Sequence, residues 1–206
     1  MINIKYTMIQ QAIQALKDNQ LICFPTETVY ALAGNAYNTE VIQKIYQIKN
    51  RPYSKPVSLL LSNIDQIKQF SNLTEYIIHI IQQLSPGSIT FVLPIHNYGK
   101  LPKQFFYNKI GIRIPDHPIA LEILNNFDHP IVATSVNISG QQDAIRADQI
   151  PHDIKKHIAV TIDDNRLVNG IVSTVIDLTS YQILRKGAIT EERIQEILRK
   201  TNVKIT

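Results

Sequence analysis

Leu21-Ile22-Cys23-Phe24-Pro25-Thr26-Glu27-Thr28-Val29-Tyr30 sets an unbroken apolar run directly against a loop of hydroxyls and one carboxylate. A run this short suits a buried strand rather than a helix, and Pro25 ends it. Upstream, Thr7 is a candidate N-cap for a helix whose Ile9, Ala12, Ile13 and Leu16 share one face. Downstream, helical spacing returns over 39–49 through Val41, Ile42, Ile45 and Ile48, and 57–61 reads as the next strand. Helices over 64–70 and 74–84 follow. The second stops at Pro86-Gly87 before a strand over 89–93. A strand over 111–114, a helix over 119–127 after Pro118, and a strand over 131–134 lead into the polar loop 135–143. A helix near 148–157, strands over 158–162, 173–178 and 182–184, and a last helix over about 190–200 that Thr190 can cap close the map. This order implies an α/β or α+β domain with a sheet of mixed direction.

The 206 residues suit a single domain, and 44% hydrophobic with 18% charged residues is a globular composition. Met1 to Tyr6 lack a basic stretch and a long apolar core, and no run approaches the roughly 18 apolar residues of a membrane span, so a cytoplasmic location without membrane contact is expected. The single Cys23 lies in the apolar run and reads as a small buried hydrophobe. A net charge of +4 favours an anionic partner without specifying one.

The usual phosphate motifs are absent: there is no G-x-x-x-x-G-K-[ST] loop and no G-x-G-x-x-G turn. No His or Cys grouping has metal-ligand spacing, and no G-x-S-x-G elbow marks a serine nucleophile. The polar signals are instead loops at strand ends, where ligands of open α/β sheets gather. Thr26 and Thr28 offer hydroxyls that either donate to an anion or accept from an ammonium, or that simply cap a turn. Lys49, Arg51 and Lys55, stiffened by Pro52 and Pro56, can clamp a polyphosphate; a cation in a helix's last turn also offsets the dipole, which would account for Lys49 alone. Ser135 and Asn137, two apart in an extended stretch, can face one ligand. Arg113 inside an apolar strand needs a partner, and Ser173-Thr174 and Arg185 sit at strand ends.

Lys49-x-Arg51 and Ser135-x-Asn137, together with 24–30, the stretch Ser85-Pro86-Gly87-Ser88 leading into 89–93, and 111–118, resemble the YrdC/Sua5 family of threonylcarbamoyl-adenylate synthases from about Gln20 to Gly187, in the manner of its short bacterial form. The resemblance implies an open, twisted α/β sheet, mixed parallel and antiparallel, flanked by helices and enclosing a positively charged concave cavity. It implies that L-threonine, bicarbonate and ATP give threonylcarbamoyl-AMP and pyrophosphate, the first step of t6A formation at tRNA position 37. Mg²⁺ would be held through the phosphates and no protein metal site is expected. Transient contact with the downstream t6A transferase machinery and RNA is implied too. Lys49, Arg51, Ser135 and Asn137 would carry the catalysis and, with Lys55 and Arg185, hold ATP; Thr26, Thr28, Arg113, Ala133, Ser173 and Thr174 would line the threonine side. The sequence departs from the family pattern at Ala31, Leu60, Val172 and 163–165. A paralogue of the same fold acting in RNA binding or ribosome maturation is the competing expectation.

Overall fold

The computed structural model describes residues 2–201, with side chains from Tyr6 onward. In chain order its elements are α1 (Ile2–Lys17), β1 (Leu21–Pro25), β2 (Tyr30–Asn35), α2 (Thr39–Ile48), β3 (Ser58–Leu60), α3 (Ile64–Lys68), α4 (Glu75–Leu84), β4 (Ile89–Pro94), β5 (Lys109–Arg113), α5 (Pro118–Asn126), β6 (Ile131–Ser135), α6 (His152–Lys155), β7 (Ile158–Thr161), β8 (Thr174–Asp177), β9 (Gln182–Arg185) and α7 (Glu191–Lys200). The strands form one sheet in the order β7-β1-β2-β6-β3-β5-β4-β8-β9. The pairs β1–β7, β3–β5 and β4–β8 are parallel and the other five antiparallel, so the sheet is mixed as expected.

The two-residue strand period divides the core between the two faces. Leu59, Phe91, Ile110, Ile112, Val132 and Ile176 point to the face covered by α2, α4 and α7, through Ile42, Ile45, Ile80, Ile81, Ile194 and Ile197. Ile22, Phe24, Ala31, Ala33, Ile131 and Ala133 point to the other face, where Ile9, Ile13 and Leu16 of α1 and Ile119, Ile123 and Leu124 of α5 cover them. Each isoleucine, leucine, valine or phenylalanine among them, fully buried, is worth about 1.5–3 kcal/mol relative to exposure. On this second face the helices reach only over the half that holds β1, β2 and β6. The half made by β3, β5, β4 and β8 stays open.

Three expectations change. Thr7 does not cap a helix, because α1 already runs from Ile2 and Thr7 lies inside it. The helix expected near 148–157 is broken into a 3-10 turn, Ala147–Gln149, and the short α6, because Pro151 lacks the N–H that would continue the first turn into the second. Strand β2 is not evident from patterning: Tyr-Ala-Leu-Ala-Gly-Asn is poor in β-branched residues, yet it is buried throughout and hydrogen-bonded between β1 and β6.

Candidate functional site

The open half of the face is the floor of a cavity of about 320 Å³. Residues of one parity supply it: Ser58 and Leu60 from β3, Thr90 and Val92 from β4, Lys109, Gly111 and Arg113 from β5, Ala133 and Ser135 from β6, and Val175 from β8. Gly111 keeps the floor low, because a Cβ there would lie 2.7 Å from Ser58 Oγ. Gly187 shapes the rim for a similar reason: its Cβ would meet the backbone of Val172–Thr174 at 2.3–2.6 Å.

At one end stands Arg113, buried in the sheet. Its Nη2 donates to Glu27 Oε1 at 2.5 Å, its Nη1 to Thr28 Oγ1 at 2.9 Å and its Nε to the Gly87 carbonyl. The charge inside an apolar strand is therefore paired, as burial requires. Thr26 Oγ1 donates to the Val29 carbonyl at 2.7 Å and lies 2.8 Å from Thr28 Oγ1. Each hydroxyl has one proton, so Thr28 must donate to Thr26, and neither has a proton left for a ligand. Thr26 Oγ1 already accepts from the Thr28 amide and hydroxyl, so Thr28, which accepts from Arg113, is the one with a lone pair to offer; between the two sequence readings, accepting from an amine or hydroxyl is the one this network allows.

Arg51 and Arg185 also enter the cavity wall. Arg51 is fixed by Nε to the Lys55 carbonyl (2.8 Å) and Nη2 to the Pro56 carbonyl (2.9 Å), and Arg185 by its bonds to the Ser173 carbonyl and to Ser173 Oγ. Carbonyls orient the two guanidiniums without neutralising them. Burial lowers both pKa values from the ordinary arginine range, but leaves the groups charged. Lys109, at the far end of β5, is instead paired with Asp177 at 2.6 Å. No carboxylate belongs to the cavity wall.

The Lys49-x-Arg51 spacing follows from how α2 ends. Lys49 is the C-cap, Asn50 takes the left-handed conformation (φ 49°), and the amides of Asn50 and Arg51 donate to the carbonyls of Gln47 and Tyr46. This is a Schellman motif, and asparagine tolerates its left-handed position. The turn sends the two cations in different directions. Lys49 is fully buried, and its Nζ donates to the Ser135 carbonyl, to the Asn137 carbonyl (2.9 Å) and to Asn137 Oδ1 (2.6 Å). Burial foremost, then the nearby Arg51 charge, lowers its pKa to about 7. Lys49 is thus no helix-end charge on the surface; it pins the loop that carries Ser135.

The structure brings Thr26, Thr28, Arg51, Arg113, Ala133, Ser135, Ser173 and Arg185 to one cavity. Four expected residues stand elsewhere. Lys49 and Asn137 lie behind the wall, because β6 ends at Ser135 and Asn137 folds back onto Lys49 and, through Nδ2, onto the Gln141 carbonyl. Lys55 is exposed and contributes its carbonyl to Arg51 instead of its ammonium to the cavity. Thr174 points away from Ser173, as neighbours on a strand do, and its hydroxyl bonds the backbone of Ile189. Sequence reasoning passed over Glu27, Ser58, Thr90, Lys109 and Gly111; only strand alternation on β3, β4 and β5, once the register is known, collects the last four. Among the described residues no group of three His, Cys, Asp or Glu side chains could hold a metal ion, and no helix is long and apolar enough to cross a membrane.

The model of the Sua5/YciO/YrdC family, described as telomere recombination, matches residues 14–187. The threonylcarbamoyl-AMP synthase of Bacillus subtilis (strain 168) is 34% identical over 194 residues, 92% of this chain and 56% of that protein. That of Vibrio vulnificus (strain YJ016) is 26% identical over 182 residues, 87% of this chain and 98% of its own length. The crystal structure of P. abyssi Sua5 complexed with L-threonine superposes with a TM-score of 0.86 at 29% identity, over 94% of this chain and 58% of that one. The chain spans just over half the length of the Bacillus subtilis and Pyrococcus abyssi synthases it matches. With most of its length inside the family's pattern and the same fold around the cavity, the chain belongs to the Sua5/YciO/YrdC family.

Proposed function

We propose that the cavity binds ATP at the Arg51, Ser135 and Arg185 end and L-threonine at the end walled by Thr26, Thr28, Arg113, Ala133 and Ser173, and that the chain joins them with bicarbonate into threonylcarbamoyl-AMP. The observation that carries this reading is the division of charge among the arginines of one cavity. Two guanidiniums without a carboxylate partner suit a polyphosphate, whereas a paired arginine beside the Thr28 lone pair suits a zwitterion. The names of the relatives and the threonine complex of P. abyssi Sua5 support it.

In this reaction the threonine nitrogen bonds to the bicarbonate carbon with loss of water, giving a carbamate. A carbamate oxygen then bonds to the α-phosphorus of ATP, and the bond to the β-phosphate oxygen breaks as pyrophosphate leaves. Both steps need reactants held in line and charge neutralised more than they need a nucleophilic side chain. Arg51 and Arg185 neutralise phosphate oxygens; Lys49 and Asn137 hold the Ser135 loop in place. With no carboxylate in the wall, Mg²⁺ would be held by the phosphates of ATP and would add to the charge neutralisation that Arg51 and Arg185 supply. The reaction is the first step of tRNA t6A37 formation in the cytoplasm.

The test is pyrophosphate release from ATP, with mass detection of the adenylate. Release that requires both L-threonine and bicarbonate supports the synthase. ATP binding without release under any condition would favour an RNA-binding paralogue.

A further inference from the structure

Glu27 stands behind Arg113 and does not line the cavity. Its carboxylate collects donors from three separate parts of the chain: Arg113 Nη2 at 2.5 Å, Ser88 Oγ at 3.1 Å on the same oxygen, and the Asp116 amide at 3.1 Å on the other. The pair is largely sealed, with side chains 9% exposed for Arg113 and 13% for Glu27. Three of the five N–H groups of Arg113 are spent on Glu27, Thr28 and Gly87, so two remain for a ligand. That number matches one carboxylate fork.

Fixing three loops would by itself explain why a carboxylate sits here. Burial of Arg113 in the sheet also calls for a counter-ion, and the consequence for the cavity is that Arg113 is neutralised while Arg51, held by carbonyls, and Arg185, held by the Ser173 carbonyl and hydroxyl, have no carboxylate partner in the wall. Arg113 lines the same cavity as Arg51 and Arg185, so an unneutralised Arg113 would attract a phosphate chain as well, since cations draw polyanions without regard to which part of the cavity they occupy. Glu27 removes that attraction locally and leaves the two N–H donors.

We propose that Glu27 is a specificity-determining residue: by neutralising Arg113 it bars phosphate groups from the amino-acid end and reserves that end for an α-carboxylate. The proposal rests on the reading of the cavity given above. It acts through Arg113, without contact between Glu27 and substrate.

Calorimetric titration of L-threonine into wild type, Glu27→Gln and Ser88→Ala, each with and without 10 mM inorganic phosphate, tests it. Glutamine keeps the packing and an acceptor for Arg113 but removes the charge; Ser88→Ala removes one tie and keeps the charge. Wild type and Ser88→Ala are expected to bind threonine with less than a twofold change on adding phosphate. In Glu27→Gln phosphate is expected to compete, raising the threonine Kd about tenfold or more. Phosphate that leaves a folded Glu27→Gln as unaffected as wild type would overturn the proposal, as would equal phosphate competition in Ser88→Ala. If Glu27→Gln does not fold, the wild-type arm still decides, because phosphate displacing threonine from wild type contradicts the exclusion. Wild type that binds no L-threonine in either buffer rejects the reading of the cavity, and the proposal with it; the other outcomes reject the proposal alone.

Discussion

The two halves of one sheet face have opposite fates. Over β1, β2 and β6 the face is built from Ile22, Phe24, Ala33 and Ile131, and α1 and α5 close over it. Over β3, β5, β4 and β8 the same face carries Ser58, Thr90, Gly111, Arg113 and Val175, and no helix closes over it. The alternation is continuous across both halves, so the difference lies in side chains alone. Where every second residue is apolar, burying it under a helix is favourable; where Ser58, Thr90, Lys109 and Arg113 interrupt the apolar positions, a helix would cover groups that need partners. The uncovered half becomes the cavity.

The largest effect expected is on the charge that enters this uncovered half. Arg51→Ala should cut ATP-dependent product formation on the order of 100- to 1,000-fold while the thermal midpoint shifts by only a few degrees, because its carbonyl partners are the neighbouring Lys55 and Pro56. Steady-state kinetics and calorimetry on the same preparation check both halves of that statement. A comparable loss from changes on α1 or α5 would erase the contrast between covered and open halves. Next comes the floor: Gly111→Leu places a side chain where even a Cβ meets Ser58 Oγ at 2.7 Å. Nucleotide affinity should fall at least about tenfold, with stability changed by no more than about 1–3 kcal/mol, the usual cost of overpacking.

Lys49 sits between the halves and tests stability more than binding. Lys49→Met strips donors from three buried acceptors and should cost about 3 kcal/mol or more in denaturant unfolding. Its pH dependence has a definite sign. An unfolded chain holds the Lys49 proton up to its ordinary value of 10.5, whereas the fold releases it near 7. The unfolded state therefore binds more protons in that window, and wild-type stability should rise relative to Lys49→Met from pH 7 towards 10.5, by at most about 1.4 kcal/mol per pH unit. The smallest effect concerns the turn that separates Lys49 from Arg51. Asn50→Val forces a β-branched residue to φ 49° and should destabilise by about 1–2 kcal/mol, whereas Asn50→Gly should be close to neutral.

Patterning in the sequence located most helices and strands, because apolar spacing is a local property that survives without knowledge of partners. It overlooked β2, where burial comes from neighbours on both sides and the residues themselves are small. For the site, the loops with Thr28, Arg51, Ser135 and Arg185 were legible as polar groups at strand ends. The floor was not: Ser58, Thr90 and Gly111 become neighbours only through pairing registers such as Ser58 with Gly111, which no single strand encodes. The contacts of Lys49 were illegible for the same reason, since its acceptors lie 86 and 88 residues away.

The most direct test of the account is a map of backbone amide shifts on an isotopically labelled sample titrated with ATP. The account predicts the largest changes at Arg51, Ser58, Gly111, Ser135 and Arg185, with α1 and α5 unmoved. Changes concentrated on α1 and α5, or none at millimolar ATP, would contradict it.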